Sequence, residues 1–418
     1  MTIIERILSK DSGRKLSPGE KVQANVDLAV IRDFGGSDAV VEYEKNFGSR
    51  PVWDPSKIAL TFDYQAPAKD ADVANHQRVC RQFARKQGIH RVFDVNSGIS
   101  QHVLLEHGLV RPGAVAVGAG THMNLLGAVG CFSTCVDTAD MVTALQSGKL
   151  EFVVPETTRV TFKGSYSFPT CSKDLALHFV SRMGPDASKD KALEFYGHVV
   201  NEFQVHDALT LASLVTEING KIGFVPPNEM IAAFLKSRIG HAVEVPVADA
   251  DAAYSSSVEL DVQGLPPQVA CPHAPFNVKA VKEVKGAHID FAFIGSCANG
   301  RFEDLAVAAA VLKSAGKIHP GVQLTIVPAT IEVARKCLKS GYYEIFLDAG
   351  AIVTNPGCSV CAIGHHGALG KGDVLISSSN RNFPGQLGEG AEVYLASPAT
   401  VAASAVKGEI TDPGEFLR

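Results

Sequence analysis

The sequence lacks the long apolar runs and the clustered basic residues that membrane proteins and nucleic-acid-binding proteins carry. No window approaches the roughly 18 uncharged apolar residues of a membrane-spanning helix, and the first residues, MTIIERILSKDSGRK, contain no apolar stretch typical of a secretory signal. The formal net charge is -5 at pH 7, and lysine and arginine are scattered rather than grouped. We therefore expect an intracellular, cytoplasmic protein that binds a small molecule and neither nucleic acid nor a membrane.

A disulfide framework is also unexpected. The chain has nine cysteines in 418 residues, and an odd number in a long sequence without a secretory signal favours thiols that stay reduced. Some of these thiols could bind a metal. At this length a single hydrophobic core is usually exceeded, so two or three domains are expected.

What the sequence does contain is an alternation of β-branched apolar runs with helical stretches, which is typical of α/β layers with mostly parallel strands. Buried strands that run into glycine or a turn are predicted within residues 113–120, 288–297, 321–328 and 349–358. Apolar residues at helical spacing predict helices within residues 301–316 and 330–350. The passage at 245–275 is polar and rich in alanine and proline, and it is the best candidate for a domain junction.

Three cysteines follow predicted strands in the last third of the chain. Cys297 ends IGSC, whereas Cys358 and Cys361 lie in NPGCSVC. Ligands of parallel sheets gather at the carboxyl ends of the strands, so these thiols can converge. Three thiolates match neither a four-ligand structural zinc site nor a two-cysteine redox pair, but they can hold three irons of a 4Fe-4S cluster and leave the fourth iron open. Taken alone, the Cys358-x-x-Cys361 spacing is equally compatible with ordinary buried cysteines.

Further segments in the same order make the pattern more specific. They are FDYQAPAKD (62–70), VPETTRVTFKG (154–164), IGSCANGRFEDL (294–305), NPGCSVC (355–361), SSNRNFPGQLG (378–388) and YLASPATVAASAVKGEITDP (394–413). Together they resemble the aconitase superfamily, in particular the large subunits of 3-isopropylmalate dehydratase and homoaconitase. The resemblance covers essentially the whole chain.

The resemblance implies a fold and a domain division. The expected fold is α/β, with three-layer α/β/α domains and mostly parallel sheets around a central cluster cleft. Residues 1–284 would form an N-terminal region of two α/β lobes, and residues 285–418 an α/β domain that carries the cluster cysteines.

The resemblance also implies a hydro-lyase that dehydrates a small hydroxy-carboxylic acid of the isopropylmalate, homocitrate or alkylmalate type, with the open iron of a 4Fe-4S cluster as Lewis acid. Cys297, Cys358 and Cys361 match the cluster ligands. Arg381 matches a carboxylate-binding arginine, and Gln386 stands where the family has a second one. Candidate catalytic groups, matched in the same way, are Asp63, Glu217 and Asn299.

Several family positions differ in this chain. Where the family has Gly-Asp-Ser-His-Thr, the sequence reads GAGTH from Gly118 to His122, so the aspartate and histidine that handle the departing hydroxide are expected to be absent. Two further histidines are replaced by Tyr64 and Gln101, with His102 one place later. His122 and His102 could substitute, but on a strand a shift of one residue turns the side chain to the opposite face, which argues against it.

Two readings of the function stay open. The first is a hydro-lyase with an altered substrate, because the loss of arginine at 386 removes a strong contact to a carboxylate. The alternative is a cluster-bearing paralogue that has lost dehydratase activity and serves another reaction or a binding or sensing role. In two-subunit members of the family a separate small chain carries the swivelling domain with the proton-abstracting serine, so we expect such a small subunit as partner.

Overall fold

The computed structural model describes residues 1–120, 122–361 and 367–417, and at Cys361 it describes the backbone alone. In this part of the chain the strands are β1 (Lys21–Asn25), β2 (Leu28–Arg32), β3 (Ile58–Thr61), β4 (Arg91–Phe93), β5 (Val115–Gly118), β6 (Phe132–Cys135), β7 (Lys149–Val153), β8 (Thr157–Lys163), β9 (Ala192–Gly197), β10 (Ile222–Phe224), β11 (Ser256–Asp261), β12 (Gln268–Ala270), β13 (Val278–Ala280), β14 (Phe291–Ile294), β15 (Gln323–Ile326), β16 (Ile352–Val353), β17 (Val374–Ser377) and β18 (Glu392–Ala396).

The helices lie between and around these strands. In the described residues they are α1 (Ile3–Ser9), α2 (Gly36–Phe47), α3 (Ala71–Gln87), α4 (Ser100–Glu106), α5 (Thr138–Ser147), α6 (Ser172–Met183), α7 (His198–Asn201), α8 (Val205–Leu214), α9 (Glu229–Ile239), α10 (Val281–Val284), α11 (Ser296–Asn299), α12 (Phe302–Ala315), α13 (Ile331–Lys339), α14 (Tyr342–Ala349) and α15 (Pro398–Lys407). Short 3-10 turns cover Pro55–Lys57, Met123–Val129, Val215–Ile218, Ser359–Cys361 and Pro413–Glu415. Within this range no helix is long and apolar enough to cross a membrane.

Three sheets, parallel for the most part, organise the molecule. The first has the order β4-β3-β2-β5-β6 and the second β10-β9-β8-β11, and every pairing in these two is parallel. The third has the order β13-β12-β18-β17-β14-β15-β16, in which only the pairings of β12 are antiparallel. With helices packed against these sheets, the fold is three-layer α/β/α, and the predicted fold class is confirmed.

The third sheet includes two strands, β12 and β13, that precede residue 285, where the predicted C-terminal domain begins. β11 pairs with β8 in the second sheet, whereas β12 and β13 already belong to the third. The chain therefore passes from one sheet to the next between Asp261 and Gln268, inside the predicted junction at 245–275. The domain division at residues 284 and 285 stays a prediction.

The predicted elements of the last third form where the apolar pattern places them, with one difference. Strands β14, β15 and β16 lie within three of the predicted segments, and α12 occupies Phe302–Ala315. The stretch at 330–350, predicted as one helix, is two helices, α13 and α14, separated at Ser340 and Gly341. Gly341 has φ of 75°, a left-handed conformation that ends a helix and that glycine adopts readily.

The carboxyl ends of strands from the first and third sheets face one another. From the first sheet, β2 ends at Arg32, β3 ends just before Asp63, and β5 ends at Gly118. From the third sheet, β14 leads to Cys297 and β17 to Arg381. The backbone N–H of Cys358 donates to the carbonyl oxygen of Asp63 at 2.9 Å, which joins the two edges. A site between the sheets follows from this arrangement.

Candidate functional site

Two of the three predicted cluster cysteines line one narrow cavity between the sheets. Cys297 lies in α11 directly after β14, and Cys358 lies in the turn after β16. Both are buried, with 1% and 5% of their surface exposed, and both line the cavity. The side chain of Cys361 is outside the described side chains, although its backbone continues the same turn as Ser359–Cys361. The structure therefore brings together Cys297 and Cys358.

The turn that carries Cys297 is held by buried polar groups. His102 Nε2 is 2.9 Å from the carbonyl oxygen of Cys297, and Arg301 is 3.0 Å from His102 Nδ1. Because a carbonyl can only accept and a guanidinium can only donate, His102 carries its proton on Nε2 and is neutral. Burial, together with the charge of Arg301, lowers the pKa of His102 to about 3. His102 thus holds the turn of Cys297 through a hydrogen bond to its backbone and does not itself line the cavity.

Asn299, a candidate catalytic residue, is likewise not among the described residues that line the cavity. Its amide nitrogen donates to Asp304 at 2.9 Å and lies 3.4 Å from the hydroxyl of Thr210. Thr210 in turn donates to the carbonyl oxygen of Ala298 at 2.9 Å. Asn299 is not among the residues that line the cavity, because its amide nitrogen is bonded within the cysteine turn itself, and its catalytic role stays a prediction.

Asp63, another candidate, lies behind an arginine that belongs to none of the motifs described above. Arg32 binds the carboxylate of Asp63 through Nε at 3.2 Å and through a terminal nitrogen at 2.8 Å. Asp63 is fully buried and also accepts from the N–H of Ser100 at 2.9 Å. Burial alone would lower the pKa of Arg32, but the negative charges of Asp63, Cys358 and Asp33 together outweigh it and the pKa is raised. Arg32, and not Asp63, lines the cavity.

Gly120 leaves room for the guanidinium of Arg32. A Cβ on Gly120 would lie 3.1 Å from Nη1 of Arg32, and Gly120 has φ of +88°. A larger residue at 120 would therefore press against the guanidinium as well as strain the backbone. A signal for Arg32 was present in the sequence, since a charged residue ends the otherwise apolar strand LAVIR, whose residues are all buried.

Glu217 joins two further cavity groups. His122 Nε2 is 2.7 Å from Glu217 Oε1, and Arg381 Nε donates to both carboxylate oxygens at 3.0 and 3.1 Å. Since the carboxylate can only accept, His122 Nε2 donates. Burial lowers the pKa of His122, although the bond to Glu217 opposes this shift. Glu217, His122 and Arg381 therefore form one connected group at the cavity.

The placement of His122 corrects the expectation that the histidine of this segment is lost from the site. That expectation assumed a strand, in which neighbouring side chains point to opposite faces. β5 ends at Gly118, and His122 has φ of 62° where a 3-10 turn begins. In this turn the side chain enters the cavity. Thr121 lies outside the described residues.

Arg381 is presented by the loop that follows β17. Lys173 of α6, which is fully buried, donates from Nζ to the carbonyl oxygens of Ser378 and Ser379 at 3.1 and 2.7 Å. Burial lowers the pKa of Lys173 to about 8. The next residue, Asn380, places its amide nitrogen 3.5 Å from Cys297 Sγ. A buried ammonium thus holds the loop that points Asn380 and Arg381 at the cysteine.

The narrow cavity opens into a wider cleft of about 1050 Å³. Tyr64, Arg381 and Gln386 line both spaces. Among the residues that line the cleft, Phe34 is 46% exposed and packs against Tyr64 with tilted rings whose centroids are 4.6 Å apart, and Phe383 is 38% exposed. A small molecule can reach the cysteines from this cleft past Arg381.

The donor set of the cavity fits an iron–sulfur cluster. Burial and the neighbouring Cys358 raise the pKa of the Cys297 thiol, whereas Arg32 and Arg381 oppose this shift and would offset the charge of thiolate ligands. The amide of Asn380 lies within reach of Cys297 Sγ, and hydrogen bonds to sulfur are a regular feature of cluster sites. Among the described side chains, which exclude Cys361, no group of three or more cysteine, histidine or carboxylate side chains is placed to hold a metal ion.

Comparison of the sequence with known proteins agrees with the α/β/α architecture described above. The Aconitase family (aconitate hydratase) matches residues 5–408. The chain is similar to 3-isopropylmalate dehydratase large subunit 1 of Methanopyrus kandleri, with 44% identity over 100% of this chain and 99% of that protein. It is also similar to the probable methanogen homoaconitase large subunit of Methanothermobacter thermautotrophicus, with 40% identity over 99% of this chain and 97% of that protein.

One solved structure shares the fold. The holo-form of aconitase X from Thermococcus kodakaraensis superposes with a TM-score of 0.54, covering 86% of this chain and 84% of that one. Its sequence identity to this chain is 14%, so this likeness concerns the fold alone.

Proposed function

The chain belongs to the aconitase family, and we propose that it is the large subunit of a hydro-lyase that removes water from a small hydroxy acid. The family match spans residues 5–408, and the two relatives named above are large subunits of a 3-isopropylmalate dehydratase and of a probable homoaconitase. The proposed substrate is therefore a hydroxy acid of the isopropylmalate, homocitrate or alkylmalate type. The proposed partner is a separate small subunit.

One observation carries this proposal: two buried thiols and the guanidinium of Arg381 line the same cavity. Thiolates are the ligands of iron–sulfur clusters, and a guanidinium binds a carboxylate through two parallel hydrogen bonds. We propose that Cys297, Cys358 and Cys361 hold a 4Fe-4S cluster. When bound, such a cluster supplies a Lewis acid that polarises the bond between carbon and the departing hydroxyl group.

The other side chains act on the substrate or hold those that do. Arg381 would bind a substrate carboxylate, and Glu217 orients both Arg381 and His122 through the bonds described above. His122 keeps a proton on Nε2, against Glu217. Asp63 acts through Arg32, whose guanidinium it fixes at the cavity wall. Asn299 holds the turn of Cys297, which makes it a positioning residue.

The cofactor is tested by metal analysis of anaerobically purified protein. We expect iron and sulfide, and after exposure to oxygen a 3Fe-4S form detected by electron paramagnetic resonance, because one iron would have no protein ligand. Replacing Cys297, Cys358 or Cys361 with serine should abolish retention of the cluster. Cys80→Ser is the matched control, since Cys80 is equally buried in a different part of the core. Zinc without iron or sulfide would refute the cofactor.

The activity is tested separately on malate, citrate and alkylmalate derivatives, with the small subunit present. We expect loss of water from at least one hydroxy acid of this panel. A protein with an intact cluster that is inert toward every member would instead support the alternative of a cluster-bearing paralogue without dehydratase activity.

A further inference from the structure

Two glutamine side chains in the narrow cavity have buried amide atoms with no hydrogen-bond partner. Gln101 is 1% exposed, and both its Nε2 and its Oε1 are buried without a partner among the described residues. The same holds for Oε1 of Gln386. Both side chains line the cavity that contains Cys297 and Cys358. Buried polar atoms in folded proteins are nearly always bonded, so these amides are positioned for a group that enters the cavity.

The charged groups of the same cavity are already balanced. Arg32 is bound to the carboxylate of Asp63, and Arg381 is bound to that of Glu217. His122, whose pKa is lowered by burial, adds no positive charge at neutral pH. An additional carboxylate on the ligand would therefore find no unbalanced positive side chain among the described cavity residues.

The amide atoms also distinguish ligand groups that both donate and accept hydrogen bonds from groups that only accept them. Each of the two side-chain amides has a carbonyl oxygen that accepts and an NH2 group that donates, and the buried atoms without a partner in the described part of the chain are both amide atoms of Gln101 and the carbonyl oxygen of Gln386. A carboxylate has only acceptor oxygens, so it could accept from the N–H groups of these amides but would leave both of their carbonyl oxygens without a donor. A carboxamide or a hydroxyl group both donates and accepts, so it can satisfy all of these atoms.

We propose that Gln101 and Gln386 form an uncharged subsite that binds a neutral group able to donate and accept hydrogen bonds. The ligand would then be a hydroxy acid with one carboxylate for Arg381 and with a carboxamide or hydroxyl group in place of a further carboxylate. This inference rests on the proposed function for the hydroxy acid itself, and it names the substituent that this chain selects.

The test compares two probes that differ only in this group, malate and its C4 monoamide malamate. Calorimetry on the anaerobically purified full-length chain, together with its small subunit, should give at least 10-fold tighter binding of malamate. Gln386→Arg should reverse the preference, because arginine provides a charged fork for the second carboxylate. Gln101→Leu should abolish it, because leucine can neither donate nor accept. Gln146→Leu, at an exposed position of α5, is the matched control and should leave both affinities unchanged.

Three results would overturn the subsite: no detectable binding of malamate, equal or tighter binding of malate by the unaltered protein, or an unchanged ratio in Gln386→Arg. A thermal melt of each variant shows whether the fold is intact before the affinities are compared. The proposed function is judged on a different readout, the formation of the unsaturated product. Tight binding of malamate, with no loss of water from malamate or from any acid of the panel, would uphold the subsite and refute the hydro-lyase.

Discussion

At the scale of single residues, the chemistry of the site depends on which basic side chains each buried carboxylate binds. Glu217 binds the side chains of both His122 and Arg381, whereas Asp63 binds the guanidinium of Arg32 and accepts from the backbone N–H of Ser100. Arg381 is the more accessible of the two arginines, with 27% of its side chain exposed against 3% for Arg32. Arg381 can therefore meet a ligand that arrives from the wide cleft, whereas Arg32 forms part of the inner wall.

Arg381→Lys tests this assignment. Lysine keeps the charge but loses the planar fork, so it cannot bind Glu217 and a substrate carboxylate with the same geometry. We expect kcat/KM to fall by about 10- to 100-fold, which corresponds to about 1.4 to 2.7 kcal/mol in the barrier. Arg78→Lys, at an exposed position of α3, is the control and should not change the rate. An unchanged rate in Arg381→Lys would place Arg381 outside the substrate site.

At the scale of elements, two short segments owe their shape to buried polar groups on neighbouring helices. Lys173 of α6 holds the loop after β17. Asp304 of α12 accepts the backbone N–H of Arg301 and the amide of Asn299, both at 2.9 Å, and so holds the turn of Cys297. These segments carry the cavity groups but have little apolar surface of their own, so their conformation depends on these bonds.

The contribution of Asp304 to the stability of the folded protein depends on pH. Burial raises the pKa of Asp304 from its ordinary value of 3.8 to about 6 in the folded protein. Below pH 3.8 the carboxyl group is protonated in both the folded and the unfolded state, and above pH 6 it is charged in both. The stability that it contributes is therefore present at low pH and is lost as pH rises through about 4 to 6, by about 3 kcal/mol.

The comparison with Asp304→Asn isolates this contribution, because asparagine is uncharged at every pH and keeps an acceptor for the N–H of Arg301. The free energy of unfolding of the unaltered protein, minus that of Asp304→Asn, should fall by about 3 kcal/mol between pH 4 and pH 7. Urea denaturation at a series of pH values measures this difference. A difference that stays constant would mean that Asp304 has no raised pKa.

At the scale of the whole molecule, the site lies between two sheets and remains open on one side. The cleft is lined by Arg381 on one wall and Asp33 on another, with Phe34 and Phe383 exposed among its lining residues. Exposed aromatic rings around a polar cleft are typical of a surface that binds another protein. A small subunit docked there would exclude water from the cavity and strengthen its charge interactions.

We therefore expect the chain to be inactive or slow by itself and to gain activity when a small aconitase-like subunit is added. Phe34→Ser should weaken this association by about 10-fold or more, since burying a phenylalanine contributes about 1.5 to 3 kcal/mol. Phe168→Ser is the matched control, because Phe168 is 60% exposed and does not line the cleft. Analytical ultracentrifugation measures both affinities. Full activity of the chain alone would contradict the requirement for a partner.

Much of the fold follows from local patterns in the sequence. The strands QLTI and FAFI and the helix at Phe302–Ala315 form where the apolar pattern predicts, because the burial of an apolar run or face is a local property. The family was also recognisable from ordered motifs, and the match over residues 5–408 confirms it. Cys297 and Cys358 could be placed near each other because both follow parallel strands of one sheet.

The direction of individual side chains was decided only by the tertiary structure. His122 lines the cavity from a turn with a positive φ, whereas the amide nitrogen of Asn299 donates to Asp304 and Thr210. Arg32 reaches the cavity wall from another sheet, and its carboxylate partner, Asp63, is 31 residues away in the sequence. Apolar periodicity reports which face of an element is buried, but contacts between distant segments decide which polar group a buried side chain meets.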